Sequence, residues 1–360
     1  MKPYRLTRSE LTADESLELV LAQDVRDAAG RIVAPKGSRL TSHIVERLRT
    51  NDWSELHAAA LEAGDVHEFE AGARLARAVA GRDVEVGTMT AGHWPLVAAV
   101  RGVVHVDVAA LREVNALPGI ALYTLFDGQV VEQKETVARG KIVPFAIPED
   151  ALVSAERIAC SRDGAVHVRR FVPFSVGAII QESLGDRAMT RAHAVLAEKL
   201  GWFGSTLLAP CFVSPRGTEL AQALRAQMAQ GAQVLVVAGS RPMDPLDPMY
   251  EALDEIDARI ERQGMPAHPG SLLWVGYAKP SDARAAAGAE AERTIIGLPS
   301  CGLFSQASVF DLLMPKLLTG ERLTNESLAE LGHGGLLTRD MQFRFPPYRS
   351  GARRGEVLEE

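Results

Sequence analysis

The sequence predicts an α/β protein: a mixed α+β N-terminal region, then a C-terminal three-layer α/β/α domain with a mostly parallel sheet. Two observations lead to this fold class. The run Val234–Ala238 is apolar without interruption, which is typical of a strand buried on both faces. Strand and helix patterns alternate through the second half of the chain, as they do in parallel sheets covered by helices. We therefore expect an N-terminal region at 1–163, an α/β domain at 164–320 and a C-terminal extension at 321–360.

The first half lacks this alternation and contains shorter patterns. Thr41 has the residue type of an N-cap before a helix at 42–49, and Asp65 and Glu68 have capping-box spacing before a second helix. An Asp-Gly pair between two β-prone runs predicts a hairpin at 123–132. The other predicted elements of this half are strands at 17–25 and 138–147 and a helix at 148–160.

The second half is predicted from hydrophobic periodicity and from residues that end helices. Gly231 is expected to end one helix just before Val234–Ala238, and Pro315 to kink or end the last helix. Residues 282–292 are expected to form a surface connection, and residues from 332 onward to lack fixed order unless they dock on a partner. The predicted strands lie at 174–180, 205–212, 234–238, 272–277 and 294–298, and the predicted helices at 187–200, 218–230, 248–262 and 306–318.

Composition narrows the functional classes. The chain has 360 residues, 47% of them hydrophobic and 24% charged, with a net charge of −7. This charge argues against a general nucleic-acid-binding protein, and no apolar run approaches the length of a membrane span. The N-terminus lacks the apolar core of a signal peptide, and three widely spaced cysteines suit a reducing compartment, so we expect a cytoplasmic protein without disulfides.

Ligands of open parallel sheets bind beyond the carboxyl ends of the strands, so the loop at 239–247 is the first candidate site. Gly239 permits a ligand to approach the backbone closely, and the amides before the helix at 248 can accept a phosphate. Arg241 can add a charged clamp. Asp244 lies in a proline-flanked turn, and Asp247 fits either a metal or ligand role or a helix N-cap.

Two further loops are expected at the same edge of the sheet. In the 299–302 loop, Ser300 and nearby amides can hold phosphate, and Cys301 is either a thiol activated by a helix N-terminus or an inert cysteine. The 268–270 turn precedes a predicted strand and either faces the ligand or serves only as a turn. Glu182 follows the first strand of the domain and is a weaker candidate for the same cleft.

Taken in order, these loops resemble the molybdopterin-binding domain family, which includes molybdopterin adenylyltransferase, molybdopterin molybdotransferase and gephyrin. In that family an apolar strand leads into Gly-Gly-x-Ser-x-Gly-x-x-Asp, and this chain has Ala-Gly-Ser-Arg-Pro-Met-Asp at 238–244. The family's Pro-Gly-Lys-Pro turn is similar to Pro-Gly-Ser-Leu at 269–272, and its Gly-Leu-Pro-Gly-Asn-Pro to Gly-Leu-Pro-Ser-Cys-Gly at 297–302. The resemblance covers roughly 170–320, and the first half resembles the N-terminal region of bacterial molybdopterin-binding proteins.

The resemblance implies a cleft for pterin and phosphate whose lining residues would be Gly239, Ser240, Asp244, Asp247, Pro269, Gly270, Pro299 and Ser300. The chain departs from the family at several points. Ala238 and Met243 replace loop glycines, the lysine of the Pro-Gly-Lys-Pro turn is absent, and the Asp-Gly-Tyr-Ala signature of the molybdotransferases is missing. The binding fold is therefore better supported than the transfer reaction.

Three functions remain open. The first, implied by the resemblance, is a homo-oligomeric protein that binds molybdopterin or a molybdenum-cofactor derivative and delivers it to a molybdoenzyme or another biosynthetic protein. The second is an active molybdotransferase, in which Asp244 and Asp247 would be catalytic and would hold Mg²⁺. The third is a nucleotide- or sugar-phosphate-binding enzyme, although Gly-x-Gly-x-x-Gly and P-loop motifs are absent from the sequence.

Overall fold

A computed structural model describes residues 1–11, 19–53, 55–160, 164–181, 185–279, 292–299 and 307–348. The chain forms two compact units, one made of Met1–Asp127 with Val131–Val168 and the other of Gly128–Val130 with Arg169–Glu360. The architecture is mixed α/β, and its largest sheet contains both parallel and antiparallel strands. Among the described residues, no helix has the length and apolar character needed to cross a bilayer.

The elements up to Arg170 are mostly short strands. The helices of this part are α1 (Ser42–Arg49), α2 (Glu68–Val79), α3 (Val108–Asn115) and α4 (Glu149–Cys160). The strands are β1 (Lys2–Leu6), β2 (Val20–Leu21), β3 (Val25–Arg26), β4 (Ile32–Ala34), β5 (Leu56–Ala60), β6 (Asp65–His67), β7 (Val84–Val86), β8 (His93–Ala98), β9 (Gly102–Val106), β10 (Ile120–Thr124), β11 (Val130–Val131), β12 (Thr136–Ile142), β13 (Ala146–Pro148) and β14 (Val166–Arg170).

The local signals of the first half are partly confirmed. Thr41 caps α1, since its side chain accepts a hydrogen bond from the amide of Ile44. The capping-box prediction is wrong at its first residue, because Asp65 belongs to β6 and the side chain of His67 caps α2 instead. The hairpin prediction is also wrong: β10 pairs antiparallel with β12, so the loop between paired strands is much longer than an Asp-Gly turn.

The second unit contains the main sheet and the helices that cover it. Its helices are α5 (Asp186–Trp202), α6 (Gly217–Ala229), α7 (Pro248–Glu255), α8 (Val309–Leu317) and α9 (Asn325–Ala329), followed by two 3₁₀ turns, Glu330–Gly332 and Arg339–Arg344. Its strands are β15 (Ser175–Ile180), β16 (Thr206–Leu207), β17 (Cys211–Phe212), β18 (Val234–Ala238), β19 (Ala258–Gln263), β20 (Trp274–Ala278) and β21 (Arg293–Leu298).

Strand β18 is a central parallel strand, as its apolar run predicts. It lies between β15 and β21 and runs parallel to both. Beyond β21 the sheet turns antiparallel, through β20 and then β19 at the edge. The residues of β18 are all buried, because alternate side chains enter two separate apolar clusters on the two faces of the sheet.

Helices contribute the residues that pack against β18 in both apolar clusters. On one face, Val234 and Val236 pack with apolar residues of α5 and α8. On the opposite face, Leu235 and Val237 pack with apolar residues of α6 and α7. We call these the α5/α8 face and the α6/α7 face. Because each helix packs its apolar face on the sheet, the loops that join strands to helices lie at the ends of the strands.

Three predicted elements of the second half need correction. The helix predicted at 248–262 ends at Glu255, because Asp257 adopts a left-handed conformation (φ 52°) and the chain continues as β19. The strand predicted at 205–212 is two short strands, β16 and β17. Residues from 332 to 348 pack within the second unit: the amide of His268 donates to the carbonyl of Gly335, and the amide of Leu337 donates to the carbonyl of His268.

Candidate functional site

The three candidate loops leave or enter strands at one edge of the main sheet. Ala238 lies opposite Leu298 in parallel register, and the amide of Gly239 donates to the carbonyl of Leu298 at 2.9 Å. Strand β20 is antiparallel to β21, with Trp274 opposite Gly297, so the 268–270 turn enters the sheet where β21 leaves it. We call this the carboxyl edge, and it is the position at which α/β sheets bind ligands.

The start of the 239–247 loop is fixed by a buried indole. Ser240 is fully buried, and its hydroxyl accepts a hydrogen bond of 3.0 Å from the ring N–H of Trp274. The indole fits because Gly297 has no side chain; a Cβ there would lie 1.9 Å from the ring. Gly239 has φ 92°, a conformation that favours glycine. The buried hydrogen bond between Trp274 and Ser240 therefore fixes the position of the first residues of the loop.

Asp247 holds the loop closed. One carboxylate oxygen accepts a hydrogen bond from the amide of Met249 at 2.9 Å, which caps α7, and the other accepts from the amide of Arg241 at 2.6 Å. The residue is only 4% exposed. The sequence left open whether Asp247 binds a metal or ligand or caps a helix, and the structure shows Asp247 as the N-cap of α7. The amides of Arg241 and Met249 have their hydrogen-bond partner within the loop, so the phosphate-binding role proposed for amides before the helix is not available at these two positions.

The tip of the loop faces solvent. Arg241 and Asp244 are both exposed. One carboxylate oxygen of Asp244 accepts from the amide of Leu246 at 3.0 Å, which is a local turn contact. The buried Pro242 anchors the loop from below, because its carbonyl accepts from the hydroxyl of Tyr250 at 2.8 Å and from the Gln263 side chain. The loop thus presents one cation and one carboxylate on a braced backbone.

The 268–270 turn packs against the first turn of α8. The His268–Pro269 peptide is cis, and Gly270 has φ 117°. The carbonyl of Pro269 accepts a hydrogen bond from the amide of Val309 at 3.0 Å, and a Cβ at Gly270 would lie 2.9 Å from the Val309 side chain. Pro269 and Gly270 therefore lie at the carboxyl edge and link β20 to α8.

Of the remaining candidate site residues from the sequence, only Pro299 lies among the described residues. This residue directly follows β21, so it lies at the carboxyl edge. Ser300, Cys301 and Glu182 lie outside the described residues. The described residues contain no group of three His, Cys, Asp or Glu side chains placed to hold a metal ion.

Asp244 and Asp247 do not fit Mg²⁺ well in this arrangement. Mg²⁺ prefers carboxylate oxygens in a near-octahedral shell that keeps several waters. Asp247 is buried with both oxygens engaged by backbone amides, whereas Asp244 is exposed and engaged in a turn. The donor geometry therefore gives no support to a shared Mg²⁺ site, and the catalytic role of the pair stays a prediction.

A buried polar cluster on the α5/α8 face was missed in the sequence. Lys199 forms an ion pair of 2.7 Å with Asp311, and Asp311 also accepts from the hydroxyl of Tyr348 at 2.9 Å and from the amide of Ser308 at 3.0 Å. Burial, and then the Asp311 carboxylate, raise the pKa of Tyr348 well above its ordinary value. Ser308 and Asp311 have capping-box spacing, which was the available signal. The cluster anchors the C-terminal segment and has a structural role.

Gln181 was also missed, because one glutamine after a strand carries no signal of its own. It is the residue after β15 and donates its backbone N–H to the carbonyl of Ala238 at 2.9 Å, which places it at the carboxyl edge.

A scan against models of protein families finds no match for this chain, and a search of curated proteins finds no match either.

Proposed function

We propose that the second unit binds a phosphorylated pterin, molybdopterin or a molybdenum-cofactor derivative, at the carboxyl edge of its sheet. The single observation that carries the proposal is the strand register: β18, β20 and β21 bring residues 239–247, the 268–270 turn and Pro299 to one edge. These are the segments whose order resembles the molybdopterin-binding domain family. Clusters on both faces of the sheet are compatible with the three-layer arrangement of that domain.

The residues of the first loop divide into a frame and a contact surface. Asp247, Ser240 and Pro242 are buried and hydrogen-bonded within the protein, so they form the frame. Arg241 projects from that frame, and no ion pair of its guanidinium is found among the described residues. A guanidinium can bind phosphate through two parallel hydrogen bonds. We assign phosphate binding to Arg241 and framing to Asp247.

Binding and delivery are a better proposal than molybdate insertion. A transfer reaction through Mg²⁺ needs carboxylate oxygens free to coordinate, whereas the oxygens of Asp247 already hold the loop. The sequence departures point the same way, because Ala238 and Met243 stand where the family has glycines.

The test is an anaerobic calorimetric titration of the full chain with molybdopterin. The purified protein should bind, and Arg241→Ala should weaken binding about tenfold, because a hydrogen bond to a charged group contributes roughly 1.5–3 kcal/mol and an exposed one lies at the lower end. Arg225→Ala is the control, since it removes the same charge from the end of α6 near the opposite edge, where Arg225 pairs with Glu255. A wild-type chain that binds no molybdopterin contradicts the proposal.

A further inference from the structure

Gln181 is buried at the carboxyl edge, and the nitrogen of its side-chain amide, Nε2, has no hydrogen-bond partner among the described residues. The residue is 4% exposed. An unpaired buried amide lowers stability, and buried polar groups of folded proteins nearly always have partners. Glutamine at this position therefore lowers the stability of the fold relative to an apolar residue, and the contacts within the fold do not explain its presence.

Other buried glutamines and hydroxyls of this unit show what a structural role looks like. Gln227 is 3% exposed and its Nε2 donates to the carbonyl of Ala209 at 3.0 Å, so its donor is used by the fold although its Oε1 has no partner among the described residues. Ser240 is bound by the indole of Trp274. Nε2 of Gln181 has no such partner in the described part of the chain, so this donor is available to something other than the fold.

The sheet register places Gln181 next to the first candidate loop. Ile180 lies opposite Ala238 in parallel register, so Gln181 comes beside Gly239. Side chains of β15 alternate between the two faces, with Ile180 in the α5/α8 cluster and Ile179 in the α6/α7 cluster. Gln181 is the first residue after β15, and continuing this alternation by one residue assigns it to the α6/α7 face, where the 239–247 loop continues into α7.

We propose that the Gln181 carboxamide is a specificity-determining contact that donates a hydrogen bond from Nε2 to a neutral acceptor of the bound ligand's heterocyclic ring. This inference rests on the proposed function. A buried, uncharged donor suits a ring carbonyl or ring nitrogen rather than a phosphate, which needs a cation or several amides. Gln181 would thus recognise the ring, and Arg241 the phosphate.

The experiment compares Gln181→Met and Gln181→Glu in the full chain, by anaerobic calorimetry with molybdopterin and by thermal unfolding without ligand. Methionine keeps the unbranched shape and removes the unpaired amide. We expect Gln181→Met to bind about tenfold more weakly, and to melt roughly 2–4 °C higher. Gln181→Glu should bind more weakly still, since it sets an oxygen against the ring acceptor. Gln227→Met is the matched control, which should melt lower and bind normally because it loses its bond to Ala209.

The outcomes separate this inference from the proposed function. Weaker binding together with a higher melting temperature in Gln181→Met supports the inference. Unchanged binding in Gln181→Met, or a melting temperature lowered as in the Gln227 control, overturns it while leaving pterin binding intact. A wild-type chain that binds no molybdopterin overturns the proposed function, and the inference with it. Should Gln181→Met fail to fold, Gln181→Glu carries the binding test, and unchanged affinity there is equally contradictory.

Discussion

Replacing Asp247 by alanine tests whether this carboxylate frames the loop or serves a ligand. The structure shows both oxygens engaged, one by the amide of Met249 and the other by the amide of Arg241. If Asp247 frames the loop, its removal destabilises the free protein. If it were held ready for a metal or substrate, its removal would leave the free protein as stable as before, or make it more stable.

The expected magnitude follows from the two hydrogen bonds. Loss of an N-cap aspartate costs about 0.5–2 kcal/mol. Loss of a second, charged acceptor for the Arg241 amide costs about 1.5–3 kcal/mol. Asp247→Ala should therefore destabilise the loop and α7 by about 2–5 kcal/mol. Asp247→Asn keeps one acceptor oxygen for the cap and places an NH₂ group where the second oxygen was, so it should lose only the second contribution.

Hydrogen exchange followed by mass spectrometry is the suitable assay, because it reports the stability of one segment separately in a chain with two compact units. Peptides covering residues 239–256 should exchange faster in Asp247→Ala by the factor corresponding to this free energy. Asp244→Ala is the control, since that exposed carboxylate makes a local turn contact and should change stability by at most about 0.5 kcal/mol. Equal exchange rates in wild type and Asp247→Ala would refute the framing role.

Three further predictions concern the interior. Gly297→Ala should destabilise the second unit by about 1–3 kcal/mol or more, because the new Cβ collides with Trp274; unaltered tryptophan fluorescence and stability would contradict this. Tyr348→Phe should cost about 1.5–3 kcal/mol in denaturant unfolding, through the lost hydrogen bond to Asp311, and unchanged stability would show that the C-terminal segment is not anchored there. Burial lowers the pKa of His67 below its ordinary value of 6.5. The stability that His67 contributes is therefore present above pH 6.5 and is lost as the pH falls. The free energy of unfolding of His67→Gln should depend less on pH, and an equal pH dependence would exclude His67 as its source.

The parts of the fold that the sequence predicted are those set by local chemistry. An unbroken apolar run specifies β18, because a strand buried on both faces admits no polar residue. Thr41 specifies the start of α1, because its hydroxyl satisfies an unpaired amide. The positions of the candidate loops followed from the strand ends, so the edge at which they lie was predictable even though side-chain contacts were not.

The failures arose where long-range contacts decide between local alternatives. Ile256 and Ile260 have helical spacing, yet Ile260 belongs to a strand because pairing with β20 and the left-handed Asp257 override the pattern. The order of the C-terminal segment depends on Tyr348 reaching Asp311 across 37 residues of chain, which no local pattern reveals. The unpaired amide of Gln181 is likewise visible only once the fold defines what surrounds it.

The most direct test of the central claim is a hydrogen-exchange footprint of molybdopterin on the full chain. Pterin binding at the carboxyl edge predicts slower exchange in peptides covering residues 239–247 and the 268–270 turn when ligand is present. It predicts no change in peptides of α6 near Arg225, which lie toward the opposite edge. Protection confined to other regions, or no protection at saturating ligand, would contradict the claim.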